Sequence, residues 1–198
     1  MGYRGHVTEP LPSKAQLRRS LRARRVELSR ADPDAARRAA DVLPLEDLPA
    51  FASFAGYYAL GAELDPSPLI RRLSDLGGLF ALPVCEGPDT PLIFRLWDDR
   101  DRPVPDAMGV PAPPPHAPEV HPDLVIVPLV GFDRRGGRLG QGGGHYDRTL
   151  EALRAHKPVF ALGLAFAGQE VPDLDLEPHD QRLDAILTEN GYIPVERP

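Results

Sequence analysis

The stretch VGFDRRGGRLGQGGGHYDR, from Val130 to Arg148, concentrates most of the chemistry this chain can offer. Glycines at 136, 137, 140, 142, 143 and 144 let the backbone approach a ligand closely and turn its amides inward. The stretch follows an apolar run and precedes a helix, whose N-terminus favours anions. Arg138 adds a planar cation matched to phosphate. Phosphate binding is the chemistry this pattern implies. The known fingerprints do not fit it. Gly137 to Gly142 has Walker-loop spacing, but Gly143 stands where the lysine belongs. Gly140 and Gly142 begin a dinucleotide GxGxxG, and His145 takes its last glycine position. The interleaved Arg138, His145, Tyr146 and Asp147 argue against a merely mobile surface loop.

Other chemistries are missing from the chain. There is no GxSxG elbow and no HExxH, while His116 and His121 fall in a proline-rich segment. Cys85 is the single cysteine, which excludes a disulfide framework and a thiolate zinc site and reads as a small buried hydrophobe. With 198 residues, 42% hydrophobic, 26% charged and a net charge of −6, the chain suits one α/β domain with a proper core. Proline at 24 residues and glycine at 18 are in excess, but locally. No run approaches the roughly 20 apolar residues of a membrane span, and Met1 to Lys14 lacks the apolar core of a signal peptide. A soluble, cytoplasmic protein is expected.

The elements that must position the glycine stretch can be read along the chain. Ser13 caps a helix, KAQLRRSLRARRVELSR, with Leu17, Leu21 and Leu28 on one stripe. Lys14, Arg18 and Arg25 border that stripe and Arg19 points away. Residues 1–30 hold eight Lys/Arg against two acidic residues, and the rest hold 15 against 27. Such a basic segment suits nucleic acid, a solvated face, or one small polyphosphate; the absence of interleaved aromatics makes nucleic acid the weakest of these. A second helix starts at Asp32-Pro33, and a third spans Ser67 to Leu76 before Gly77-Gly78. Residues 51–60, 79–84, 92–97 and 159–166 read as strands, and 123–133 as one near-continuous buried strand. Residues 98–122 read as an extended proline-rich surface loop, a helix runs from His145 to about His156, and 183–191 and 192–195 form strands about an Asn-Gly turn. This alternation predicts a three-layer α/β/α sandwich with a mostly parallel sheet and the N-terminal helices packed on it, as one domain over 1–198.

VPLVGFDRRGGRLGQGGGHYDR resembles the signature of the 5-formyltetrahydrofolate cyclo-ligase family, roughly PxxGFDxxGxRLGxGxGYYDR. KAQLR (14–18), AELDP (62–66), GVPAP (109–113) and HDQRLDAILTE (179–189) resemble further family segments in order. The resemblance implies an ATP-dependent ligase that, with Mg²⁺, converts 5-formyltetrahydrofolate to 5,10-methenyltetrahydrofolate by phosphorylating the formyl oxygen. It implies ATP contacts at Lys14, Arg18, Arg138, Leu139, Gly140, Gln141, Gly142, Gly143, Gly144, His145 and Tyr146. It implies folate contacts at Leu60, Asp65 and Gln141 through His145, and magnesium at Asp147 and Asp184. Three positions depart from the family pattern: His145 for the first tyrosine, Gln141 for a basic residue, and Asp65 for a longer glutamate. Those departures, with the basic N-terminal segment, keep open a binding protein that holds ATP or RNA without folate turnover. An ATP-dependent enzyme acting on another heterocycle is the third alternative.

Overall fold

The computed structural model describes residues 13–196; most of the stretch read as lacking a signal peptide lies outside them. Helix α1 (Lys14–Ala31) begins with a reciprocal cap: Ser13 Oγ accepts from the Gln16 amide and Gln16 Oε1 from the Ser13 amide. α2 (Ala35–Val42) and α3 (Ser67–Ser74) follow, the latter with proline in its first turn, and α4 (His145–Arg154) starts at Gly144.

The main sheet has seven strands in the order β11-β10-β9-β6-β1-β2-β3. β1 (Ser53–Ala55), β2 (Leu79–Val84), β6 (Leu124–Pro128), β9 (Phe160–Leu164) and β10 (Ala185–Thr188) run parallel. β3 (Ile93–Leu96) and β11 (Gly191–Pro194) close the two edges antiparallel. Val125, Ile126 and Val127 are fully buried because helices cover both faces. On one face Ala39, Leu43, Leu69 and Leu73 of the α2–α3 region pack on Phe54, Leu124, Ile126 and Leu162. On the other, Leu150 and Leu153 of α4 pack on Ala55, Val125, Val127 and Ile186. This is the expected three-layer sandwich. Each such leucine contributes about 1.5–3 kcal/mol by burial.

Four details differ from the sequence reading, each for a local reason. The strand expected over 51–60 ends at Ala55, because Tyr57 turns into the core and its hydroxyl donates to the Leu64 carbonyl at 2.5 Å. The strand expected over 123–133 breaks after Pro128: Gln169 donates to the Leu129 and Val130 carbonyls at 3.0 and 2.9 Å, replacing ladder partners. Beyond that break β7 (Gly131–Phe132) pairs with β8 (Arg138–Leu139), so the glycine stretch grows from a hairpin. The proline-rich segment carries a hairpin of β4 (Val104–Pro105) and β5 (Pro111–Ala112), with Ala112 and Ala117 buried. Finally, α2 packs squarely on the sheet, whereas α1, among the described residues, reaches the main core through Leu28 alone. Leu17 and Leu21 of α1 instead join Val130, Leu139 and Leu174 in a separate small core beneath the glycine hairpin.

Candidate active site

Strand order reverses between β1 and β6, and a crevice opens beyond the carboxyl ends of strands at such a switch point. A cleft of about 520 Å³ lies there. Its walls hold Lys14 and Arg18 from α1, residues 138–147 from the glycine hairpin and α4, Tyr57, Tyr58, Leu60 and Glu63 after β1, and Glu177, His179 and Asp180 near the C-terminus. Thus α1, packed on the hairpin through Leu17 and Leu21, brings Lys14 and Arg18 beside the glycines.

The hairpin is set from below by Asp133, whose fully buried carboxylate accepts from the amides of Arg135, Gly137 and Leu174 at 2.9 Å each. Gly142 and Gly144 adopt φ of 111° and 67°, a region L side chains avoid. Arg138 is almost fully buried; it donates to Asp147 Oδ1 at 2.6 Å and lies 5.9 Å from the Tyr146 ring centre. Its Nε is buried without a partner among the described residues. As a cation lining the cleft beside the glycines, Arg138 is matched to an anion.

Lys14 bonds Glu177 at 2.9 Å and Asp180 at 3.1 Å. Burial works against the ammonium, yet the bonds from both carboxylates leave its pKa raised. Glu177 is lowered by the hydrogen bond from Lys14; at Asp180 burial opposes the fall, and the Glu177 amide and Lys14 bring it about. Arg18 donates from Nε to the Gly140 carbonyl at 3.0 Å.

Beside the loop the Glu63 carboxylate, 8% exposed, accepts from Arg25 at 3.3 Å, the Gln141 amide group at 3.2 Å and the Leu60 backbone at 3.1 Å. Burial and then the Glu63 charge raise the phenols of Tyr57 and Tyr146, so both remain hydrogen-bond donors at neutral pH. Tyr58, Leu60 and Met108 are half-exposed around the mouth. His145 Nδ1 lies 3.1 Å from the Thr90 carbonyl and 3.9 Å from Cys85 Sγ.

Of the residues expected from sequence, Lys14, Arg18, Leu60, Arg138 through Tyr146 and Asp147 all line this cleft. Two do not, and these are corrections. Asp65 is exposed and accepts from the Ser67 amide and hydroxyl at 2.9 and 2.6 Å, so it closes the turn that leads into α3. The carboxylate facing the cleft is Glu63, two residues earlier. Asp184 sits at the amino end of β10, with its carboxylate on Arg154 at 2.8 Å and on the Ala161 amide at 2.8 Å. Asp147 is in the first turn of α4 and Arg154 in the last, about 10 Å further along the helix. The pair expected to share magnesium is therefore split between the two ends of α4. Glu63, Tyr57, Tyr58, Glu177 and Asp180 went unassigned from sequence. The Asp-Pro-Ser signal after Glu63 could have marked Asp65 as a helix start.

Fold and cleft together define a three-layer α/β protein with cations and a glycine loop on the cleft wall and apolar side chains at its mouth. The profile of the 5-formyltetrahydrofolate cyclo-ligase family matches residues 10–189, and the chain belongs to that family. It is 34% identical over 137 residues to 5-formyltetrahydrofolate cyclo-ligase of Escherichia coli K12, covering 67% of this chain and 75% of the relative. The corresponding enzyme of Mycolicibacterium smegmatis is 32% identical over 139 residues, covering 67% and 71%. The NMR structure of Aquifex aeolicus 5,10-methenyltetrahydrofolate synthetase superposes with a TM-score of 0.73 at 25% identity, covering 93% of this chain and 94% of that one. Among the described residues no helix is long and apolar enough to cross a membrane.

Proposed function

We propose that this protein converts 5-formyltetrahydrofolate to 5,10-methenyltetrahydrofolate at the expense of ATP, by transient phosphorylation of the formyl oxygen. The observation that carries the reading is one cleft of about 520 Å³ that joins the glycine loop and the cations Lys14, Arg18 and Arg138 to a buried carboxylate, Glu63, and an apolar rim. On the loop side, Lys14, Arg18 and Arg138 would neutralise the triphosphate, and the backbone of residues 140–144 would lie against it. Next to the loop Glu63 would offer an acceptor to the N–H edge of a pterin ring, and Tyr58, Leu60 and Met108 would offer apolar surface to the rings.

The chemistry asks little of covalent catalysis. The formyl oxygen bonds to the γ-phosphorus as ADP leaves. N10 then closes on the formyl carbon, loses its proton, and expels phosphate carrying the former formyl oxygen. Positioning and charge neutralisation are the protein's tasks, as in other phosphoryl transfers. Among the described residues there is no group of three or more His, Cys, Asp or Glu suited to hold a metal permanently. Asp147 alone fits Mg²⁺ arriving with ATP, because that ion favours one or two carboxylates plus phosphates and water. Bound there, Mg²⁺ would offset charge on the transferring phosphate.

The α1 cations that face the protein are held within the fold: Lys14 by carboxylates, Arg18 and Arg22 by loop carbonyls and Arg25 by Glu63. That distribution favours the small-ligand reading over RNA. The test is direct. Purified protein with Mg-ATP and 5-formyltetrahydrofolate should give the near-ultraviolet band of the methenyl product, with one ADP released per product. Bound ATP without that band at high enzyme concentration would leave only a binding protein.

A further inference from the structure

The glycine loop has no cationic side chain of its own between Gly140 and Gly144, where Gln141 and Gly143 stand. Three arginines reach it instead through its carbonyls. Arg18 Nε donates to Gly140 O at 3.0 Å, Arg22 Nη2 to Gln141 O at 2.9 Å, and Arg148 Nη2 to Gly143 O at 2.7 Å. Arg22 also grips the Gln141 side chain, Nε to Oε1 at 2.9 Å, so its fork holds both groups of one residue. Arg148 is fixed by a further bond to the Pro88 carbonyl at 3.2 Å. Arg18 lines the cleft, whereas Arg22 and Arg148 do not; they pull from outside it.

In a trans peptide the carbonyl and the following N–H lie in one plane and point in opposite directions. Holding the carbonyls of residues 141 and 143 from outside the cleft therefore turns the amides of Gly142 and Gly144 the other way. Neither amide has a protein acceptor among the described residues. A cation on the carbonyl also polarises its peptide group, which makes the attached N–H a stronger donor. Positive φ at Gly142 and Gly144 makes the required turns accessible.

We propose that Arg22 and Arg148 are positioning residues for nucleotide phosphate: they hold the loop carbonyls from outside the cleft, so that the Gly142 and Gly144 amides are aimed and polarised toward an anion. The inference rests on the nucleotide role proposed above for the loop. It places the loop's positive charge behind the peptide groups rather than on side chains within it. Arg22→Lys should therefore be a partial substitute, since an ammonium reaches Gln141 O without the second arm of the fork.

The test is titration of the full-length protein with a non-hydrolysable Mg-ATP analogue, without folate. Arg22→Ala and Arg148→Ala should each weaken binding about tenfold, the size of one lost charge-assisted hydrogen bond. Arg22→Lys should recover part of the loss, and Arg148→Lys, keeping one donor near Gly143 O, covers the case in which the alanine variant fails to fold. Arg19→Ala, an equal loss of charge from an exposed face of the same helix, should leave binding unchanged. In the nucleotide-free protein the amide proton of Gly142 should move upfield in Arg22→Ala, and that of Gly144 in Arg148→Ala, as polarisation is lost. Unchanged affinity in folded Arg22 and Arg148 variants, or an equal loss in Arg19→Ala, overturns the proposal while the reaction assignment stands. Wild-type protein that binds no nucleotide removes the loop assignment and this proposal together.

Discussion

An ion pair marks each end of the parallel sheet, and α4 spans the distance between them. At the carboxyl ends of the strands, Arg138 and Asp147 meet at 2.6 Å on the wall of an open cleft. At the amino ends, Arg154 and Asp184 meet at 2.8 Å, with the Ala161 amide on the same carboxylate oxygen. Asp123 acts likewise at the start of β6, accepting from Lys157 at 2.7 Å and from the Ala52 and Ser53 amides at 2.9 and 3.0 Å. The first amides of parallel strands lack ladder partners, and aspartates supply them, which makes the amino ends scaffold. At the carboxyl ends the chain presents a half-bonded guanidinium and a glycine loop. Similar residue pairs thus do different work according to which end of the sheet they occupy.

The sharpest way to break this contrast is to fill the loop. Gly144→Val or Gly142→Val should lower turnover about 100-fold or more, because each residue has a positive φ. At Gly144 a Cβ would also stand 2.6 Å from Arg148. The thermal midpoint should stay within a few degrees; wild-type rates in either variant would mean that the loop does not approach the reaction.

Next in size are the α1 cations. Lys14→Ala or Arg18→Ala should raise the ATP concentration needed for half-maximal rate by about 10-fold or more, and exposed Arg19→Ala should not. Equal values in all three variants would make this face of α1 plain surface.

The two ends are compared directly by charge removal. Asp147→Asn should raise the Mg²⁺ requirement several-fold with little change in stability. Asp184→Asn should leave that requirement alone and cost about 2 kcal/mol in urea unfolding, since it leaves Arg154 short of its counter-charge. A shifted Mg²⁺ dependence in Asp184→Asn would return that residue to the metal.

The smallest effect is the pH response of the Lys14 anchor. Glu177 and Asp180 are lowered from ordinary values of 4.5 and 3.8, so they add stability above those values and lose it as pH falls through their lowered ones. Lys14 is raised from 10.5, so its share is complete below that pH and fades only in strong alkali. The stability gap between wild type and Lys14→Met should hold from pH 6 to 9 and narrow as pH falls through the lowered values of the two carboxylates. A gap that does not narrow at all in acid would show that the stem of Lys14, not its charge, does the anchoring.

Much of this protein was legible before its structure. The capped helix from Ser13, the buried strands, the glycine stretch with its anion preference, and the family signature from Val127 to Arg148 all rest on local rules: capping chemistry, alternation of apolar residues, and φ preferences. The chain by itself determined the layered α/β class, the cleft's cationic wall and its family. What it could not determine is which carboxylates meet which cations. Asp65 and Glu63 sit two residues apart in one acidic loop, and only the start of α3 decides that Asp65 closes the turn into a helix while Glu63 turns inward to Arg25. Asp147 and Asp184 look equivalent in sequence, and only the length of α4 separates them. Arg22, one of several arginines on α1, becomes distinct only where the helix packs against the hairpin and Gln141 comes within reach. The pairings of Asp184 with Arg154, Glu63 with Arg25 and Arg22 with Gln141 join residues 30, 38 and 119 apart, and no local rule of helix, strand or turn carries such distances.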